Sequence, residues 1–156
     1  MIMTPKIGIS ESNLKKSASR LSTIFADDMT LYVKSRKFHS NIVDNTFMEL
    51  HKLFYTELEE VIDEVEERIN KSGNKTIGIM KEFSKLSNPE ENENNHPIHK
   101  ELISELLKDH EILIVEIRKD IDACSDDNHD AGLADILTTI LQQHETMAWI
   151  LRRYLN

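Results

Sequence analysis

The residues best suited to chemistry lie between Phe38 and Arg68. In Val61-Ile62-Asp63-Glu64-Val65-Glu66-Glu67-Arg68 the acids Asp63 and Glu67 stand four apart. A helix would carry both carboxylates on one face, where they suit a hard cation. His39 and His51 add imidazoles, which suit ferrous iron. Twelve residues separate His51 from Asp63, which on one helix is about 18 Å and roughly 120° of rotation. The two pairs therefore cannot bind one ion within a chain, and a shared site needs the imidazoles of one copy beside the carboxylates of a symmetry mate. Each group also has a plainer role. A Glu-rich run is more often a solvated face than a ligand set. His51 projects on the side of Phe47, Leu58 and Val65, where a lone His is more often a hydrogen-bonded core residue.

Four long helical segments are predicted to position these groups. The first runs from about Glu11 to Phe38, capped by Ser10, with Leu14, Ala18, Leu21, Phe25, Met29 and Tyr32 three or four apart. After a break at Ser40–Asn45, Thr46 and Glu49 read as a capping box for the second. Its stripe is Phe47, Leu50, Phe54, Leu58, Val61, Val65 and Ile69, and Gly73 suits a left-handed C-cap. A long connection follows to His96, with a short helix predicted over Thr76–Leu86 and a polar run after it. Pro97 fits the first turn of a third helix carrying Ile98, Leu102, Leu106, Leu113, Ile117 and Ile121. The acidic loop Ser125–Asp130 leads into a fourth helix over Ala131–Leu155, with Ile136, Ile140, His144, Met147 and Leu151 in register. The fold class is all-α: a four-helix bundle over residues 11–156 behind a tail of residues 1–10, with a long crossover that carries a short helix between helices two and three. Trp149 and Tyr154 are expected to be packing residues, and His96, His99, His110 and His129 surface residues.

Composition narrows the function classes. The chain's 156 residues suit one domain. Four Gly and three Pro are too few for a sheet protein with many tight turns. A net charge of −9 opposes general affinity for nucleic acid phosphates and favours cations. Direct DNA binding is not expected, since the tail holds one lysine, Lys6. Cys124 is the single cysteine, which excludes an intrachain disulfide. No membrane span or secretion signal is apparent, so cytoplasm is the expected location.

Several segments together resemble the Dps family of ferritin-like mini-ferritins. They are Phe38-His39, then Phe47-Met48-Glu49-Leu50-His51-Lys52-Leu53-Phe54, then Val61 to Ile69, Gly73 with Thr76 and Lys81-Glu82-Phe83 in the crossover, and Asp130-Ala131-Gly132-Leu133-Ala134-Asp135 with His144-Glu145-Thr146-Met147-Ala148-Trp149 at the end. The resemblance covers roughly Leu14 to Leu155. It implies a homo-oligomeric cage, a dodecamer, whose subunits oxidise Fe²⁺ at sites between two chains and keep the ferric product inside. By position, His39 and His51 of one subunit would be ligands with Asp63 and Glu67 of its neighbour, and hydrogen peroxide or oxygen would be the oxidant. Such an activity is a ferroxidase, with iron as the metal and protection against oxidative damage as the outcome. The family's three-fold pores imply a channel role for Asp126, Asp127, Asp130 and Asp135, each of which would otherwise be an N-cap or its solvated neighbour. The sequence departs from the family pattern in places. Ser40 stands in place of Trp, Tyr55 in place of an acid, Glu66 in place of Ala, and the stretch from His51 to Asp63 is three residues shorter. Two other readings therefore stay open: a shell with a lost ferroxidase site, and a helical interaction module without metal chemistry.

Overall fold

The computed structural model describes residues 4–41, 45–91, 99–128 and 130–156. Ser10 opens the first helix as expected: its Oγ accepts from the Asn13 amide at 3.2 Å, and its carbonyl accepts from the Leu14 amide. Helix α1 spans Glu11–Asn41 and α2 spans Asn45–Lys71, which begins one residue ahead of the predicted cap, Thr46. The end of α2 is a Schellman turn. Gly73 has φ 75°, its amide donates to the Asn70 carbonyl, and the Asn74 amide reaches the Ile69 carbonyl. Helix α3 covers only Met80–Leu86, shorter than predicted. The β-branched and glycine residues of Thr76-Ile77-Gly78-Ile79 disfavour the missing turn, and Ile79 is extended. Helix α4 spans His99–Ala123 and continues as a π-helical turn over Cys124–Asn128, where the sequence suggests a loop. Helix α5 spans Ala131–Leu155, as predicted. Pro97 and Ile98 lie outside the described residues.

Ring and ion pairs fix the directions of the long helices. Tyr32 meets Tyr55 and Phe38 meets His51, so α1 and α2 are antiparallel. Arg20 pairs with Asp120 and Lys34 with Glu105, so α1 and α4 are antiparallel too. Arg118–Glu145 and Arg152–Glu111 do the same for α4 and α5. Helices α2 and α4 must then run parallel, which is why the connection between them has to travel the length of the bundle. The polar edge of α1 holds that crossover: Asp27 accepts from the Asn88 backbone and side-chain amides, Thr30 bonds Ser87 at 2.7 Å, and Lys34 donates to the Glu90 carbonyl at 2.9 Å.

The core takes most of the expected stripes and adds Leu31, Ile103 and Leu137, which the predicted stripes left out, while Met29, Tyr32, Ile121 and Ile136 are only half-buried. Leu21, Leu31, Phe54, Leu58, Ile103, Leu106, Leu113, Ile117, Leu137 and Ile140 are all fully buried. Two expectations are corrected. His110 is no surface residue but fully buried, because it lies four residues after Leu106 and three before Leu113, on the core stripe of α4. Trp149 is largely exposed, at 53%, whereas Tyr154, 40% exposed, packs its ring on Phe47 with centroids 5.9 Å apart. Trp149 faces outward from α5, where Arg153 covers its ring at 5.1 Å.

Candidate metal centre

Helices α1 and α2 meet at the end of their antiparallel pair, and this brings His39 and His51 to the same region. His39 Nδ1 lies 3.0 Å from the Met48 carbonyl oxygen. A carbonyl only accepts, so Nδ1 carries the proton, and Nε2 is turned away from Met48. The Tyr55 ring meets His39 edge-on at 5.4 Å, and Arg36 lies over the same tyrosine at 4.8 Å. His51 is fully buried, edge-on to Phe38, and neither of its ring nitrogens has a hydrogen-bond partner among the described residues. Burial, with His39 and His99 nearby, pushes its pKa down to about 4. His51 is therefore neutral at pH 7, with a lone pair ready for a cation. A core histidine left with two unsatisfied nitrogens is costly, on the order of 1–3 kcal/mol for each such group. His51 thus departs from the ordinary hydrogen-bonded core histidine. His99 is half-buried against Phe47, ring centroids 4.7 Å apart.

Asp63 and Glu67 stand elsewhere. Both are exposed on the outer face of α2, and Glu67 pairs with Lys71 at 2.8 Å. Helix α2 is unbroken from Asn45 to Lys71, so the rise of about 18 Å between His51 and Asp63 stands. Among the described residues, no three His, Cys, Asp or Glu side chains come together as a metal site. Glu66, one step round the helix from Glu67, is half-buried.

The acidic residues around the start of α5 divide by role. Asp126 and Asp135 are exposed. The side chain of Asp127 and all of His129 lie outside the described residues, as does His96. Asp130 is buried and caps α5: its Oδ1 accepts from the Leu133 amide at 2.9 Å and from Arg68 at 2.8 Å. Gly132 leaves room for Arg68: a Cβ there would lie 3.1 Å from the guanidinium, which would have to shift slightly. The sequence signals the cap at Asp130 but not its arginine partner, since a contact between α2 and α5 has no trace in local spacing.

A ferritin-like domain model matches residues 18–156. A low temperature-induced protein of Nostoc is 34% identical over 153 residues, covering 96% of this chain and 86% of its own. DNA protection during starvation protein 2 of Bacillus anthracis is 32% identical, over 84% of this chain and 90% of its own. Among solved structures, DpsC from Streptomyces coelicolor superposes with a TM-score of 0.90 at 24% identity, covering 100% of this chain and 92% of that one. A Vibrio cholerae Dps protein, described as a member of a broad superfamily of ferritin-like diiron-carboxylate proteins, gives 0.87 at 24% identity, covering 100% and 98%. At that identity the superpositions establish the fold. No helix among the described residues is long and apolar enough to cross a membrane.

Proposed function

The chain belongs to the Dps family of ferritin-like proteins, and on that premise we propose that it is a subunit of an iron-storage cage, a dodecamer, that oxidises Fe²⁺ between subunits. Membership fits iron storage. The oxidation chemistry rests on one observation above the others: the buried, neutral His51 with both ring nitrogens unpartnered. His39 supports it, its ring fixed by Met48 with Nε2 left over. Both imidazoles suit Fe²⁺, and the acids of a neighbouring copy would complete the ligand set. Peroxide would take two electrons, one from each of two Fe²⁺ ions, and with two protons leave as two waters. Asp126, Asp127 and Asp135 would draw the cation inward at a three-fold pore, with Asp130 fixing the helix start behind them.

The acid pair has a competitor in the same helix. The family pattern has three more residues between its second His and its Asp, which places that Asp fifteen positions on, where Glu66 stands here. Three residues along a regular helix are about 4.5 Å and 60°, and α2 contains no bulge to absorb them. Glu66 therefore competes with Asp63 for the place beside a neighbour's imidazoles. The alternative function, a shell without its redox centre, draws on Tyr55 and on the Glu67–Lys71 pair.

Light scattering and stopped-flow ferric absorbance after anaerobic Fe²⁺ loading and peroxide addition test the proposal. A cage whose oxidation rate exceeds buffer, and falls at least tenfold in His51→Ala with assembly intact, supports it. Asp63→Asn and Glu66→Gln then identify the acid, since only the true ligand slows the reaction. An assembled cage that oxidises iron no faster than buffer favours the redox-silent shell, and a monomer overturns both.

A further inference from the structure

The centre of the bundle holds a second polar cluster, away from His39 and His51. Asp28 on α1, His144 on α5 and His110 on α4 are each fully buried. His110 Nδ1 and His144 Nδ1 are 2.9 Å apart, and His144 Nε2 lies 3.1 Å from Asp28 Oδ1 as an ion pair. Asp28's oxygens, His144 Nε2 and His110 Nε2 have no aligned hydrogen bond among the described residues, so the 3.1 Å contact of Asp28 with His144 is one of charge proximity. Three side chains thus form a chain from carboxylate to imidazole to imidazole, in a place where water does not reach.

Proton count decides the charge of such a chain. With a bare carboxylate and two neutral rings it carries a net −1, and among the described residues no cation faces it. Lys34, a buried cation of α1, is committed to Glu105 and Asp109 of α4. Asp27, the neighbour on α1, is another acid and is held by Asn88 of the crossover. The nearby ring of α2 is Phe54, 6.1 Å from His110 between centroids. An uncompensated buried charge is strongly unfavourable, so one further proton is favoured. A second is not, because His110 is fully enclosed and burial pushes its pKa well below the ordinary value. Burial also pushes the Asp28 carboxyl up, against the opposing pull of His144.

We propose that Asp28, His144 and His110 are a single proton-binding site, occupied at neutral pH by one proton that makes Asp28 and His144 a carboxylate–imidazolium pair. His144 then donates from Nδ1 to Nδ1 of a neutral His110, whose remaining proton sits on Nε2. The Nδ1–Nδ1 contact is satisfied with one donor and one acceptor, and the buried cluster is neutral overall. At pH 7–8 the unfolded chain holds Asp28 ionised and both imidazoles neutral, so the folded subunit carries one proton more. Stability from this site therefore peaks near the imidazole range of the unfolded chain: below it the unfolded chain holds two protons where the folded site holds one, and above it stability is lost by about tenfold in the folding constant per pH unit.

Denaturant unfolding of the intact assembly at fixed concentration, at pH 7 and pH 8, tests this against Asp28→Asn, which keeps the side-chain shape without the charge. The wild type should lose stability about tenfold more per subunit than the variant over that unit of pH. Equal pH slopes would overturn the site. Nitrogen NMR on ¹⁵N-histidine wild-type protein gives the answer even if Asp28→Asn does not fold. Protons on both nitrogens of His144 and on His110 Nε2, with His144 Nδ1 as the donor in the one Nδ1–Nδ1 pair, are expected, and a His144 Nε2 without its proton would overturn the carboxylate–imidazolium pair. A bare His110 Nε2 with the donor direction reversed refutes it.

Discussion

Replacing Lys34 with Met removes one ammonium and little volume, and it reaches into the clamp that joins α1, α4 and the crossover. Lys34 is 4% exposed. Its Nζ meets Glu105 at 2.6 Å, Asp109 and the Glu90 carbonyl. The substitution strands two carboxylates that face each other, of which Asp109 is itself buried. Breaking one side of a buried pair costs about 3–5 kcal/mol. For a chain of this size that is roughly 6–20 °C in Tm, taking about 2–4 °C per kcal/mol. Burial already pushes the Asp109 carboxyl up, with Lys34 holding it down and Glu105 adding to the rise. Without the ammonium its pKa climbs further, so protonation relieves the stranded charge and the deficit shrinks as pH falls from 7.5 towards 5. Thermal melts by far-UV circular dichroism at matched concentration read both quantities. The double variant Lys34→Met, Asp109→Leu should recover most of the loss, since apolar packing can replace a buried ion pair. A deficit below about 1 kcal/mol, or one that does not change with pH, would refute the reasoning.

Three further outcomes follow from single sites. Burial raises the Asp27 pKa to about 6 despite its bonds to Asn88; a raised carboxyl stabilises at low pH and loses that contribution as pH climbs through 6, so between pH 5 and 7.5 the wild type should lose roughly 1.4 kcal/mol that Asp27→Asn does not lose, and identical pH profiles would contradict this. Leu58 is fully buried at the centre of α2, and Leu58→Ala should cost about 2–5 kcal/mol in denaturant unfolding; a loss near zero would mean the core closes over the cavity. Cys124 is a buried thiol whose pKa burial raises, so a disulfide reagent should label it only after unfolding, and rapid labelling of the native protein would show that the turn after α4 opens.

The amino-acid sequence alone determined the helices and their inward faces. Periodicity in Leu50, Phe54, Leu58, Val61, Val65 and Ile69 is a local property, because side chains three or four apart share one side of a helix whatever it packs against. The caps at Ser10, Gly73 and Asp130 are local for the same reason. Periodicity also carried the signal for His110, four residues after Leu106, although its chemical type argued for the surface. What tertiary structure decided was every pairing across helices. Lys34 with Asp109, Arg68 with Asp130 and Asp28 with His144 join residues 62 or more positions apart, or in separate helices with no shared pattern. Register between packed helices is set by the sum of many core contacts, so no short stretch of sequence encodes it. The same holds for the candidate metal centre: His39 and His51 come together through the α1–α2 pairing, while Asp63 and Glu67 are exposed and Glu66 half-buried further along an unbroken helix.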